Sequence, residues 1–126
     1  MTSPSAGGAS VLIVEDHELA ADAMCQMFDA MGYRTRIAGT VATAVAACRE
    51  QTVDLMLLDM SLPDGSGLDV LATLRPGGPT PRVTVALTGH DDAALQARCM
   101  EAGCVAVMIK PVSPRALIAK VQTWLA

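Results

Sequence analysis

The sequence predicts a doubly wound α/β sandwich: a five-stranded parallel sheet with helices on both faces. Three observations carry this. Short apolar runs alternate strictly with longer segments of helical periodicity. Runs such as Leu55-Met56-Leu57-Leu58 are apolar throughout, as strands covered on both faces must be. Four of the five runs lead into a reactive polar residue: Val11 to Val14 into Glu15 and Asp16, Leu55 to Leu58 into Asp59, Val83 to Leu87 into Thr88, and Val105 to Ile109 into Lys110. The carboxyl ends of parallel strands share one edge, so these residues are expected to converge on a single crevice.

The elements follow in order. Residues 1 to 9 (MTSPSAGGA) are small, polar and aperiodic, and are read as a disordered lead-in outside a single domain spanning 10 to 126. The alternation then predicts a strand at 10 to 14, helix 18 to 31, strand 33 to 38, helix 40 to 50 and strand 53 to 58. The second half predicts helix 66 to 75, strand 82 to 87, helix 91 to 102, strand 105 to 109 and helix 113 to 125. The first helix places Ala20, Ala23, Met24, Met27, Phe28 and Met31 on an inner face, and Gly32 follows where a left-handed residue ends a helix. The helix at 91 to 102 is a weak amphipath with two apolar stripes, Leu95, Cys99 and Ala102 against Ala93, Ala97 and Met100. It reads as a thin core helix in preference to a contact surface. The last helix opens on Ser113-Pro114, a cap followed by proline in the first turn, and carries Leu117, Ile118, Val121, Trp124 and Leu125 on one stripe. Right-handed βα crossovers make the sheet parallel.

Composition narrows the function. A chain of 126 residues with 52% hydrophobic content can bury a core on both sheet faces. Phe28, Tyr33 and Trp124 are its only aromatics, too few for base-stacking platforms. A net charge of −4 without a Lys/Arg cluster argues against direct nucleic-acid binding. Cys25, Cys48, Cys99 and Cys104 lack CxxC spacing and lie in or beside apolar stretches, as buried free thiols in a reducing compartment do. No apolar run reaches the roughly 20 residues of a membrane span. A cytoplasmic protein without a membrane partner is expected.

Glu15, Asp16 and Asp59 form the chemical centre if strands one and three are neighbours, as in the sheet order 2-1-3-4-5. Three such carboxylates either hold protons or bind a hard cation, and an all-oxygen site suits Mg²⁺. Taken singly, each acid is more often a solvated loop residue; their convergence favours the site. Asp59 ends a rigid apolar strand and can act as a nucleophile toward a phosphoryl donor, giving an acyl phosphate. Lys110 and Mg²⁺ would neutralise charge on the equatorial oxygens, and Thr88 can donate its hydroxyl. Alone, Thr88 reads as a turn residue before Gly89, and Lys110 as a solvated lysine. Lys110-Pro111 has access to a cis bond that would turn the lysine inward.

These segments resemble the receiver domains of two-component response regulators, the CheY-like superfamily, over residues 10 to 126. VLIVEDHE resembles the acidic first-strand motif, LMLLDMSLPDGSG the phosphoacceptor strand and its loop, ALTGH the threonine segment, and VMIKPVSP the lysine segment, in the family's order and spacing. The resemblance implies a flavodoxin-like (βα)5 fold and phosphorylation of Asp59. It implies Mg²⁺ held by Glu15, Asp16, Asp59 and the Ser61 carbonyl, with Thr88 and Lys110 contacting the phosphoryl group. It also implies a donor, a sensor histidine kinase or a histidine phosphotransfer protein. The expected role is a phosphorelay switch, a signalling protein whose self-catalysed phosphorylation and autodephosphorylation serve partner binding. The expected target is a downstream protein or an output domain outside this chain, the receiver either acting alone or belonging to a larger protein, as a monomer or weak homodimer. PDGSG fits a tight turn without a catalytic role.

Two positions depart from the pattern or vary within it. Val107 stands three residues before Lys110, where the family commonly has an aromatic that reorients on activation. Signalling would then pass through Thr88 and the following loop. His90, beside the site, can order the hydrolytic water or cap the next helix. Among other functions, an unphosphorylated pseudo-receiver interaction module is opposed by the complete set of Glu15, Asp16, Asp59, Thr88 and Lys110. An aspartate-nucleophile phosphatase would carry a second acid two residues after Asp59, where Ser61 stands. A nucleotide or flavin carrier would need a Gly-rich loop after the first strand, where EDHE stands.

Overall fold

The computed structural model describes residues 8–74 and 78–126. Five strands and five helices alternate: β1 (Ser10–Val14), α1 (Glu18–Ala30), β2 (Arg34–Ala38), α2 (Val41–Glu50), β3 (Leu55–Asp59), α3 (Gly67–Leu74), β4 (Val83–Thr88), α4 (Ala93–Glu101), β5 (Ala106–Ile109) and α5 (Pro114–Trp124). All pairs are parallel, in the order β2-β1-β3-β4-β5. Fold class and strand order are those the sequence predicts. Residues 1–7 of the expected lead-in, and residue 75 at the expected end of the third helix, lie outside the described residues. Gly8 and Ala9, assigned to the lead-in, are tied to β2: the Gly8 carbonyl accepts from Arg34 Nε at 2.6 Å and the Ala9 carbonyl from the Arg34 N–H at 2.9 Å.

Strand periodicity sorts the core into two layers. Leu12, Val14, Met56, Leu58 and Ala86 pack with α2, α3 and Cys99 of α4. Val11, Ile13, Leu55, Leu57, Val85 and Leu87 pack with Ala21 and Phe28 of α1, with Leu117 and Val121 of α5 and with Leu125 at its end. The third strand starts two residues later than the apolar pattern suggests, because its lead-in is recruited elsewhere. Asp54 accepts from the Ser10 N–H at 2.8 Å, and the Ser10 hydroxyl donates to the Thr52 carbonyl at 2.6 Å, clasping the starts of β1 and β3.

Helix ends obey local chemistry. Thr40 and Thr43 form a capping box on α2, the Asp92 carboxylate caps Ala94 and Leu95 of α4, and the Ser113 hydroxyl caps α5 ahead of Pro114. Gly32 ends α1 at φ +92°, as expected. Ala23 and Met31 are exposed although their spacing put them inside. The fourth helix corrects the thin-core reading: Cys99 is its one buried residue, Leu95 and Ala102 pack at the margin, and Ala93, Ala97 and Met100 face solvent. Its position beside the half-exposed edge strand β5 leaves only one layer to receive it.

Candidate functional site

Glu15 follows β1, Asp59 ends β3, Thr88 ends β4 and Lys110 follows β5, so the sheet alone brings four distant residues to one edge. One carboxylate oxygen each from Glu15, Asp16 and Asp59 lies within 4.8 Å of the others. Glu15 and Asp59 are buried and Asp16 is exposed, so the cluster opens toward solvent on the Asp16 side. Lys110 Nζ bridges the two buried acids, donating to Glu15 Oε1 and Asp59 Oδ2 at 2.8 Å each. The second Asp59 oxygen, Oδ1, accepts from the Ser61 N–H at 2.9 Å, and Glu15 Oε2 accepts from the His17 N–H at 3.2 Å. Lys110-Pro111 is cis.

The electrostatics follow from this packing. Burial raises the Glu15 carboxyl above its usual range and Asp59 adds to the rise, while the Lys110 ammonium and the His17 N–H oppose it. Burial pulls the Lys110 ammonium down, but its bonds to Asp59 and Glu15 outweigh this and hold it above the ordinary lysine value. The lysine is therefore a firm cation. Lying against two carboxylates within reach of a third, it offsets much of their repulsion.

Thr88 is buried, and its Oγ1 accepts from the His90 N–H at 3.1 Å, which sets the start of the loop after β4. The Lys110 N–H donates to the Thr88 carbonyl at 2.7 Å, tying the two strand ends together. Ser61 is exposed at the mouth of the crevice, its N–H turned to Asp59. His90 is exposed and Asp92 caps α4, so the helix-capping alternative for His90 does not hold.

Two site-shaping residues escaped the sequence reading. The Asp64 carboxylate accepts from the Val41 N–H at 2.7 Å and the Ala42 N–H at 3.2 Å, pinning the β3–α3 loop to the start of α2. Those bonds, Val41 first, lower its pKa. A Cβ on Gly67 would stand 2.7 Å from the Asp59 carbonyl and 2.9 Å from Leu58 Cγ. Glycine lets α3 begin directly against the backbone of the buried acid. PDGSG was visible as a turn, but what it touches was not.

A parallel α/β sheet with a buried carboxylate at one strand end, two further acids beside it and a lysine bridging across defines a phosphoacceptor-type signalling fold. The chain belongs to the response regulator receiver domain family, whose model matches residues 11–122. It is 34% identical over 116 residues to the sensory transduction protein RegX3 of Mycolicibacterium smegmatis, covering 92% of this chain and 50% of that protein. It is 32% identical over 115 residues to the DNA-binding response regulator MtrA of the same organism, covering 91% and 50%. The chain thus spans about half the length of these relatives. Among solved structures it is similar to a CheY-like response regulator receiver domain protein of Methanospirillum hungatei, with TM-score 0.84, 30% identity and 94% of each chain covered. It also resembles the receiver domain of sensor histidine kinase PA1611 from Pseudomonas aeruginosa, solved with a magnesium ion in its active site cleft. There the TM-score is 0.83 and the identity 25%, over 94% of this chain and 98% of that one. The chain is a receiver domain of the two-component class. The pseudo-receiver alternative is not favoured.

Proposed function

We propose that Asp59 accepts a phosphoryl group from a phosphohistidine donor in a Mg²⁺-dependent reaction, and that the aspartyl phosphate switches partner binding. The observation that supports this best is the setting of Asp59: buried, held on one oxygen by the Ser61 N–H and on the other by Lys110, with Glu15 and Asp16 alongside. An Asp59 oxygen attacks phosphorus as the P–N bond to the donor imidazole breaks, the electron pair leaving with the imidazole nitrogen. Lys110 shifts from its carboxylate partners toward the phosphoryl oxygens, and the Thr88 hydroxyl donates to another. The Ser61 N–H is positioned to follow the same group. The all-oxygen donor set fits Mg²⁺: Glu15, Asp16, Asp59 and the Ser61 carbonyl would hold it. Bound there, Mg²⁺ supplies charge neutralisation at the transferred group.

The donor would be a sensor histidine kinase or a histidine phosphotransfer protein. Slow hydrolysis of the acyl phosphate on the same residues would reset the switch. Intact-protein mass after incubation with acetyl phosphate and Mg²⁺ tests the reading. A labile gain of one phosphoryl group, lost in Asp59→Asn and lost with chelator, is expected. No gain with acetyl phosphate or with a phosphorylated kinase donor would overturn it.

A further inference from the structure

Behind the carboxylate site, on the α2/α3/α4 face, sulfur atoms gather in a way the phosphoryl chemistry does not use. The turn ending α4 is a complete Schellman motif: the Cys104 N–H donates to the Cys99 carbonyl at 3.1 Å and the Gly103 N–H to the Met100 carbonyl at 3.1 Å, with Gly103 at φ +111°. This motif brings the side chains of its first and last residues together, a place that apolar pairs ordinarily fill. Here both are cysteines and both are buried, close enough for each to influence the other's thiol. A third sulfur arrives from the neighbouring strand end, since Cys99 Sγ meets Met60 Sδ at 3.5 Å. Met60 is itself buried and directly follows Asp59.

We propose that Cys99, Cys104 and Met60 form a binding site for a soft monovalent cation, Cu(I). Two thiols and a thioether select Cu(I) over the hard cations that suit the acidic cluster. With metal–sulfur bonds of about 2.3 Å, a trigonal site sets its sulfurs about 4 Å apart, so the observed contact need open only slightly. The ion enters as Cu⁺, and each thiol that becomes a ligand gives its proton to solvent, with no change of oxidation state. Two thiolates leave the site one negative charge; burial opposes that charge by holding both thiols above the ordinary cysteine value, so the metal must displace their protons, and Arg98 acts on Cys99 in the favourable sense. Entry needs movement of α4, whose one fully buried residue is Cys99 and whose Leu95 packs only at the core margin. Occupancy would tie the α4–β5 turn to the residue after the phosphoacceptor.

The test is anaerobic titration of the whole chain with Cu(I) against a chromophoric Cu(I) chelator, in a Cys25→Ser background that removes the half-exposed thiol. Ag(I) serves as a redox-inert check by native mass. One equivalent is expected, with affinity falling at least about 100-fold in Cys99→Ala and Cys104→Ala and about tenfold in Met60→Leu, each checked as folded by circular dichroism. Cys48→Ala, which alters the separate Cys48 and Met56 contact, should leave binding unchanged. Failure to compete with the chelator would overturn the proposal, as would affinity unchanged in the Cys99 and Cys104 variants or lost equally in Cys48→Ala.

Discussion

Every residue of β1, β3 and β4 is buried, whereas β5 buries none and its neighbour α4 buries only Cys99. The acids Glu15 and Asp59 leave the first kind of strand, and Lys110 leaves the second. The difference separates two tasks. Carboxylates that must stay close despite their repulsion need a close-packed frame that cannot yield. In the proposed mechanism the cation exchanges carboxylate partners for a phosphoryl group, and such a cation can ride on an edge held by few contacts. The same edge carries the exposed Met100, Val105 and Ile109, so a shift there changes what a partner meets.

Four measurements would break or sharpen this contrast. The largest effect is at the reacting group: Asp59→Asn should abolish the metal-dependent mass gain, and Val107→Ala at the edge should retain it. Equal loss in both would place the chemistry in the edge as well. Next comes packing. Leu57→Ala in the frame should lower stability by about 2–5 kcal/mol in urea unfolding, against less than about 1 kcal/mol for the half-buried Val107→Ala. Similar costs would show that the edge is as tightly built as the centre.

A smaller loss should follow Lys110→Met, which strips Glu15 and Asp59 of their shared cation. About 1–3 kcal/mol is expected in chelator, below the usual cost of breaking a fully buried pair because one third of the lysine side chain is exposed. Added Mg²⁺ should recover part of it, and a variant as stable as wild type in chelator would remove the lysine from this role. The smallest effect is alkaline. Burial pushes the Cys48 thiol up to about 11 and Cys104 up to about 12. Stabilisation from keeping these thiols protonated is fully present below the unfolded cysteine pKa of about 8.5 and fades as pH rises through those folded values. Iodoacetamide at neutral pH should therefore label Cys25 first, and early labelling of Cys48 or Cys104 would show that the layer behind β3 opens readily.

Most of the architecture could be read from periodicity alone, because strands covered on both faces are almost wholly apolar until they reach the crevice, with Ser10 at the start of β1 and Thr84 inside β4 as the exceptions. The convergence of Glu15, Asp59, Thr88 and Lys110 was legible for the same reason: strand ends in a parallel sheet share an edge. What sequence could not supply were contacts set by three-dimensional neighbours. The alternation of Ala93, Ala97 and Met100 looks the same whether a second layer covers α4 or not. Asp64 reads as a turn residue until α2 is seen to begin against it, and Gly67 as a loop glycine until the Asp59 carbonyl is found too close to admit a Cβ. Ser10 looks like a strand residue, and its clasp with Asp54 and Thr52 depends on a strand more than 40 residues away.

The strand that carries Asp59 serves two layers by turns, Leu55 and Leu57 on one side, Met56 and Leu58 on the other, with Met60 joining the second set. A substitution there changes a volume, but deleting a single residue would exchange the two sets wholesale. The carboxylate would turn into hydrocarbon and a methionine would take its place at the crevice. Length is thus a stricter inheritance for this segment than composition. Insertions and deletions in homologous chains should collect in connections such as residues 78 to 82 and spare these five positions.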